Sequence, residues 1–221
     1  MLIQQFQGHG LSCVRGERLL FAKLAFQVRA GQLLILKGRN GAGKSSLLRM
    51  MAGFLAPYSG HFSLDDVTND QDRDFFRQSI QYLGHKEGLK SDLTVTENLK
   101  FWASLNGVPT AGERIQQAMT QLHIHDLADL PVRYLSSGQT RRTSLARLLL
   151  RDDVPIWLLD EPVVGLDHDS RDVLATIMQS HLQRQGIIVA ATHQDLGLKN
   201  VQMCEVQLDE FVTAPLIEEG V

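Results

Sequence analysis

The chain has 221 residues, 43% of them hydrophobic and 21% charged, with a formal charge of −3 from 22 Lys+Arg against 25 Asp+Glu. That is material for one large α/β domain with a small inserted lobe, and it carries no field of positive charge that would suggest a nucleic-acid ligand. Cys13 and Cys204 form no metal or redox motif, the opening MLIQQFQGHG does not read as a secretory signal, and no apolar run approaches the roughly 20 residues needed to cross a bilayer. A reducing compartment is expected, with any membrane role supplied by a partner.

In chain order, residues 19–28 read as a strand at an antiparallel edge. Residues 33–37 (LLILK) form a short apolar strand that feeds a Gly-rich turn. Leu47, Leu48, Met51 and Leu55 then share one face of a helix ending at 53–57. Residues 80–83 (IQYL) read as a further strand, after which the pattern changes. Thr94 and Glu97 make a capping-box pair at the start of a helix that Gly107 can end. Further helices are predicted over 112–123 and 138–150, so a helical lobe occupies about 86–150. Residues 156–159 and 187–191 are apolar without alternation and read as buried parallel strands. The expectation is a single α/β domain over residues 1–221. It has a mainly parallel sheet core, an N-terminal antiparallel β part and an inserted helical lobe.

Three segments carry chemistry. Gly38-Arg39-Asn40-Gly41-Ala42-Gly43-Lys44-Ser45, with Ser46 following, is a phosphate-binding loop between a strand and a helix. Glycines let successive N–H groups turn inward, and the helix adds its positive end. Lys44 is placed to reach a nucleotide's β- and γ-phosphates, and the Ser45 hydroxyl to ligate Mg²⁺. Residues 156–161 (IWLLDE) deliver Asp160 to the carboxyl end of a strand as a second Mg²⁺ ligand, leaving Glu161 as general base for an attacking water. Adjacent carboxylates at a strand end could also cap the next helix. Residues 135–139 (LSSGQ) place a hydroxyl, a glycine and free N–H groups at a helix start, which suits either an anion or a plain N-cap.

These motifs, with the downstream ATHQ at 191–194, stand in the order and spacing of ABC (ATP-binding cassette) ATPases, and the resemblance covers almost the whole chain. It implies a P-loop NTPase fold and ATP with Mg²⁺ as cofactors. It also implies a head-to-tail pair of chains that dimerises with ATP. In that pairing Ser136, Ser137, Gly138 and Gln139 contact the γ-phosphate held by the opposite chain, with Ser137 replacing the usual first glycine. Residues 164–167 (VGLD) match the loop joining the two sites, and His193 the switch histidine that helps organise the attacking water. Two positions depart from the family. His85 falls where a lid glutamine is usual, and an imidazole cannot copy an amide's donor and acceptor pair; a solvated loop histidine is the plain alternative, with Gln81 the next candidate. Arg15 falls near the usual adenine-stacking aromatic and could stack by its guanidinium plane.

Residues 82–90 (YLGHKEGLK), the following LT and ENL segments, and Arg141-Arg142 after LSSGQ are similar to the haem-exporter ATPases of bacterial cytochrome c maturation. That resemblance implies integral membrane subunits as partners. It also implies a peripheral location on the cytoplasmic face of the bacterial inner membrane, and ATP hydrolysis that powers haem delivery or release of a haem-loaded chaperone. The chain lacks a Cys-x-x-Cys-His site, so no direct haem binding is expected, and no nucleic acid. The rival readings are an ABC ATPase of another exporter or importer, and a non-transport cassette.

Overall fold

Strands that are apolar at every position need cover on both faces, and the order of elements supplies it. The computed structural model describes residues 3–108, 111–151 and 153–211. The ends of the expected single domain, 1–2 and 212–221, lie outside the described residues. A hairpin of β1 (Gln5–Arg15) and β2 (Arg18–Arg29) opens the chain, followed by β3 (Gln32–Lys37), the phosphate loop and α1 (Lys44–Met51). Next come β4 (Ser59–Leu64), β5 (Val67–Thr68), α2 (Arg73–Ser79) and β6 (Ile80–Leu83). The helices α3 (Val95–Leu105), α4 (Ala111–Gln121) and α5 (Ser137–Leu150) follow without an intervening strand. The chain then closes through β7 (Ile156–Asp160), α6 (His168–Gln183), β8 (Ile187–Ala191) and β9 (Gln202–Gln207).

The central sheet is parallel in the order β6-β7-β8-β3-β9, and an antiparallel sheet in the order β2-β1-β4-β5 lies apart from it. Alternate residues of the central strands serve two cores. Leu33, Ile35, Trp157, Leu159, Ile188 and Ala190 pack with α3 to α6. Leu34, Leu36, Ile156, Leu158, Val189 and Ala191 pack with α1 and the antiparallel sheet. Each fully buried Leu or Ile contributes about 1.5–3 kcal/mol, and a polar residue on either face would forfeit that.

The expected helical segments are present with shifted ends. α1 stops at Met51, before Gly53, and α4 ends at Gln121, ahead of His123, which has φ 53°. Five elements had no clear signature: β1, whose apolar positions are diluted by Gln, His and Gly, and β4, β5, α2 and the exposed edge strand β9. The Thr94 capping box forms as the spacing implies. Thr94 Oγ1 accepts from the Glu97 N–H at 3.1 Å, and the Glu97 carboxylate accepts from the Thr94 N–H at 2.8 Å. Asn98, buried one turn on, donates to the carbonyls of Lys90, Leu93 and Thr94 and accepts from the Lys90 N–H. Its amide thereby ties the segment between β6 and α3, the lid segment, to the helical lobe.

Candidate nucleotide site

β3 and β7 are separated in the sheet only by β8, so their carboxyl ends bring the phosphate loop and Asp160–Glu161 to one edge, where open α/β sheets bind ligands. A cleft of about 320 Å³ opens there, lined by Asn40, Gly41, Gly43 and Lys44 of the phosphate loop with Ser45, Ser46, Leu20, His85, Asp160 and Glu161. The loop's shape depends on glycine. Gly38 has φ 138° and Gly43 has φ 107°, and a Cβ on Gly43 would come 3.1 Å from the Phe21 ring. Gly43 also caps α1 with no side chain, so the N–H groups of the first turn face the cleft without a capping acceptor.

Lys44 is 8% exposed, and its ammonium donates to the carbonyls of Gly38 at 2.5 Å and Arg39 at 3.3 Å. It also lies 3.0 Å from Nε2 of His193, which stands exposed just past β8. The hydroxyl of Thr192 beside it accepts from the Gln194 N–H. Asp160 is 3% exposed, and among the described residues no hydrogen bond or ion pair reaches its carboxylate. A buried carboxylate without a partner carries a desolvation cost that a cation would offset, and the exposed Ser45 hydroxyl lines the same cleft. This donor set of a carboxylate and a hydroxyl, both hard oxygens, fits Mg²⁺. Glu161 adopts φ 48°, a left-handed conformation costing a non-glycine residue on the order of 1–3 kcal/mol, and its N–H donates to the Ala191 carbonyl at 2.8 Å.

The other expected residues fall on three surfaces. His85 is exposed and lines the cleft, whereas Gln81 is buried in β6 and donates to the Arg147 carbonyl, facing α5. Arg15 stands exposed at the turn of the first hairpin; Leu20, not Arg15, lines the cleft. Residues 135–139 lie outside it. Ser136 is the N-cap of α5: its Oγ accepts from the Gln139 N–H at 3.3 Å, and the Gln139 amide oxygen accepts from the Ser136 N–H at 2.8 Å. The plain capping role is therefore filled, while Ser137 stays exposed. Gly138 packs against the loop at 164–167, where a Cβ would come 3.1 Å from the Gly165 carbonyl oxygen. Asp167 caps α6 by accepting from the Ser170 N–H, and hydrogen bonds from the Ser170 hydroxyl and then its N–H hold the carboxyl below the usual range.

One residue quoted in the sequence only as part of a motif, Arg141, turns out to be central to the packing around the site. Arg141 is 3% exposed, and all five of its N–H donors are used. Nε donates to the Pro162 carbonyl, Nη2 to the carbonyls of Asp160 and Glu161, and Nη1 to the Gly84 carbonyl and the Glu87 carboxylate. The available signal was the helical period, which puts 141, 145 and 148 on one buried face of α5.

The residues 21–164 match the model of the ABC transporter family, and the chain belongs to that family as an ATP-hydrolysing member. Among its relatives, the "Cytochrome c biogenesis ATP-binding export protein CcmA" of Paramagnetospirillum magneticum is 41% identical over 211 residues, covering 95% of this chain and 96% of that protein. The protein of the same name from Rhodopseudomonas palustris is 45% identical over 90% of this chain and 96% of its own. That of Vibrio vulnificus is 36% identical over 90% and 97%. Among solved structures, a putative ABC transporter ATP-binding protein from Pyrococcus furiosus superposes with a TM-score of 0.79 at 25% identity, covering 95% of this chain and all of that one. Among the described residues no helix is long and apolar enough to cross a membrane.

Proposed function

We propose that the chain is the ATPase subunit of an export complex in cytochrome c biogenesis, with haem or a haem-loaded chaperone as the cargo whose delivery or release it powers. The observation that carries this reading is the cleft in which Lys44, Ser45, Asp160 and Glu161 converge, together with relatives of that name matching over nine-tenths of the chain. Lys44 holds the β- and γ-phosphates of ATP, and the N–H groups of the first turn of α1 hold the remaining charge. Asp160 and Ser45 hold Mg²⁺, which supplies charge neutralisation at the phosphates. Glu161 takes a proton from the attacking water, and His193 orients that water beside the ammonium of Lys44. Arg39, Asn40 and Ser46 line the phosphates with the loop glycines, and Arg15 stacks on the adenine from the hairpin.

Residues 136–139 sit outside the chain's own cleft, so they complete the site of a second copy. ATP then joins two chains head to tail. The whole chain acts as one nucleotide-binding domain, with the helical lobe at 86–150 inserted in it. Integral membrane subunits hold it at the cytoplasmic face of the inner membrane, and the lid segment with His85 faces them. The test is complementation. Cells lacking this chain regain covalently assembled cytochrome c when the wild-type protein is supplied and not when Glu161→Gln is. Normal cytochrome c yield in the deletion strain would refute the assignment to this process while leaving the ATPase reading in place.

A further inference from the structure

The five donors of Arg141 meet acceptors from two segments of the chain. One is the end of β7 and the residues after it, contributing the carbonyls of Asp160 at 3.0 Å, Glu161 at 2.8 Å and Pro162 at 3.3 Å. The other is the lid segment, contributing the Gly84 carbonyl at 3.2 Å and the Glu87 carboxylate at 3.2 and 3.3 Å. A guanidinium is the one side chain with five donors in a rigid fork; lysine has three and glutamine two. The carbonyls of Asp160 and Glu161 belong to the two peptide units on either side of the Glu161 Cα, so the guanidinium grips both flanks of the carboxylate-bearing residue, which sits at φ 48°. Its N–H is already committed to the Ala191 carbonyl, so the guanidinium holds the opposite side of the same residue.

Glu87 is held to α5 through both its carboxylate and its carbonyl. Its carboxylate accepts from Arg141, and its carbonyl accepts from Arg147 Nη2 at 2.7 Å and from the Ser144 hydroxyl at 3.2 Å. Its side chain is 25% exposed against 4% for Arg141, so it is the member of the pair that a change in the lid can reach. His85, two residues earlier, lines the cleft but makes no hydrogen bond to α5 or β7 among the described residues.

We propose that Arg141 is the positioning residue for Glu161 and that Glu87, rather than His85, is the lid residue that acts on it. Displacement of the lid pulls the carboxylate of Glu87 off Nη1, the fork rotates, and the Glu161 carbonyl loses the guanidinium at 2.8 Å, keeping only the longer bond from the Val164 N–H at 3.3 Å. The position of the lid thereby sets the placement of the base. This rests on the reading of Glu161 as general base.

The experiment compares wild type with Arg141→Lys, Glu87→Ala and the double variant of the full-length protein. Phosphate release gives kcat and KM, a fluorescent ATP analogue gives affinity, and thermal unfolding checks integrity. Glu161→Gln is the control. Because a displacement near 1 Å at a reacting group costs up to about 10²-fold, Arg141→Lys is expected to lower kcat roughly 10- to 100-fold with analogue affinity unchanged; the acceptors left unpaired lower Tm, but unfolding stays cooperative and the protein is folded at the assay temperature. Glu87→Ala lowers kcat in the wild-type background and has no further effect in Arg141→Lys, since both act through one fork. Wild-type kcat in Arg141→Lys, loss of affinity in parallel with kcat, or a Glu87→Ala effect that adds in full to that of Arg141→Lys would each overturn the inference. Undiminished turnover in Glu161→Gln would instead remove the base on which the inference rests, and so separates failure of the underlying reading from failure of the positioning role.

Discussion

The ammonium of Lys44 and Nε2 of His193, 149 positions apart in the chain, lie 3.0 Å from each other at the mouth of the phosphate loop. An ammonium can only donate, so this imidazole accepts at Nε2 and carries its proton on Nδ1. The parallel register of β3 with β8 brings them together, since Leu36 pairs with Ala191 and both chains leave the sheet side by side. The proposed function brings the γ-phosphate of ATP to this pair.

Lys44→Ala is therefore expected to abolish ATP binding, because no other ammonium enters the cleft among the described residues. His193→Ala should leave binding nearly intact and slow turnover by roughly 10²-fold or more, the usual scale for losing a group that organises proton transfer. Titration with a fluorescent ATP analogue separates the two. Loss of binding in His193→Ala and its retention in Lys44→Ala would reverse the roles.

ATP should join two chains when hydrolysis is stopped. Residues 136–139 lie outside the chain's own cleft and Ser137 is exposed, which suits contact in trans. Light scattering of Glu161→Gln is expected to show a monomer without nucleotide and a dimer with ATP. Full-rate hydrolysis by a protein that stays monomeric with ATP bound would sink the shared site.

His85→Ala should keep ATP affinity, and His85→Gln should retain more turnover than alanine if the lid residue contributes an amide-like contact to the cleft it lines. Cytochrome c yield in cells reports the coupled activity. Equal wild-type behaviour of both variants would confine the lid's action to Glu87.

Much of this arrangement was legible in the residues. The phosphate loop, the apolar strand ending in Asp160 and the Thr94 capping box all rest on local rules, and each appears with the expected geometry. The antiparallel elements were only partly legible. β1 carries His9, Gly8 and Gly10 between its apolar residues, and its register against β2 shifts three times, so no clean alternation survives. The role of Arg141 was hidden for another reason. Apart from the Glu87 carboxylate its acceptors are carbonyls, which leave no trace in the identity of residues 84 and 160–162, and only the fold reveals which backbone groups a buried arginine will reach.

Acid should weaken the fold through His181. The imidazole is 5% exposed, stacks on Trp157 at 3.8 Å and lies 3.1 Å from the Pro155 carbonyl; burial pushes its pKa down to about 4 from 6.5. A lowered pKa means the unfolded chain binds the extra proton first. Stability is therefore fully present above about pH 6.5 and lost as pH falls toward 4, by up to about 3 kcal/mol. Urea unfolding at pH 7 and pH 4.5 is expected to show a larger loss for wild type than for His181→Gln. An equal loss in the two proteins would contradict it.

The most direct test of the account is the Glu161→Gln variant, with nucleotide affinity and phosphate release measured on the same preparation. Exchanging the carboxylate for an amide removes the base and leaves the phosphate loop, Asp160 and the Arg141 contacts to the backbone in place. The expected result is wild-type affinity for ATP with turnover reduced roughly 10²- to 10⁴-fold. Near-normal hydrolysis, or loss of binding together with turnover, would contradict the division between a site that holds phosphate and a carboxylate that moves a proton.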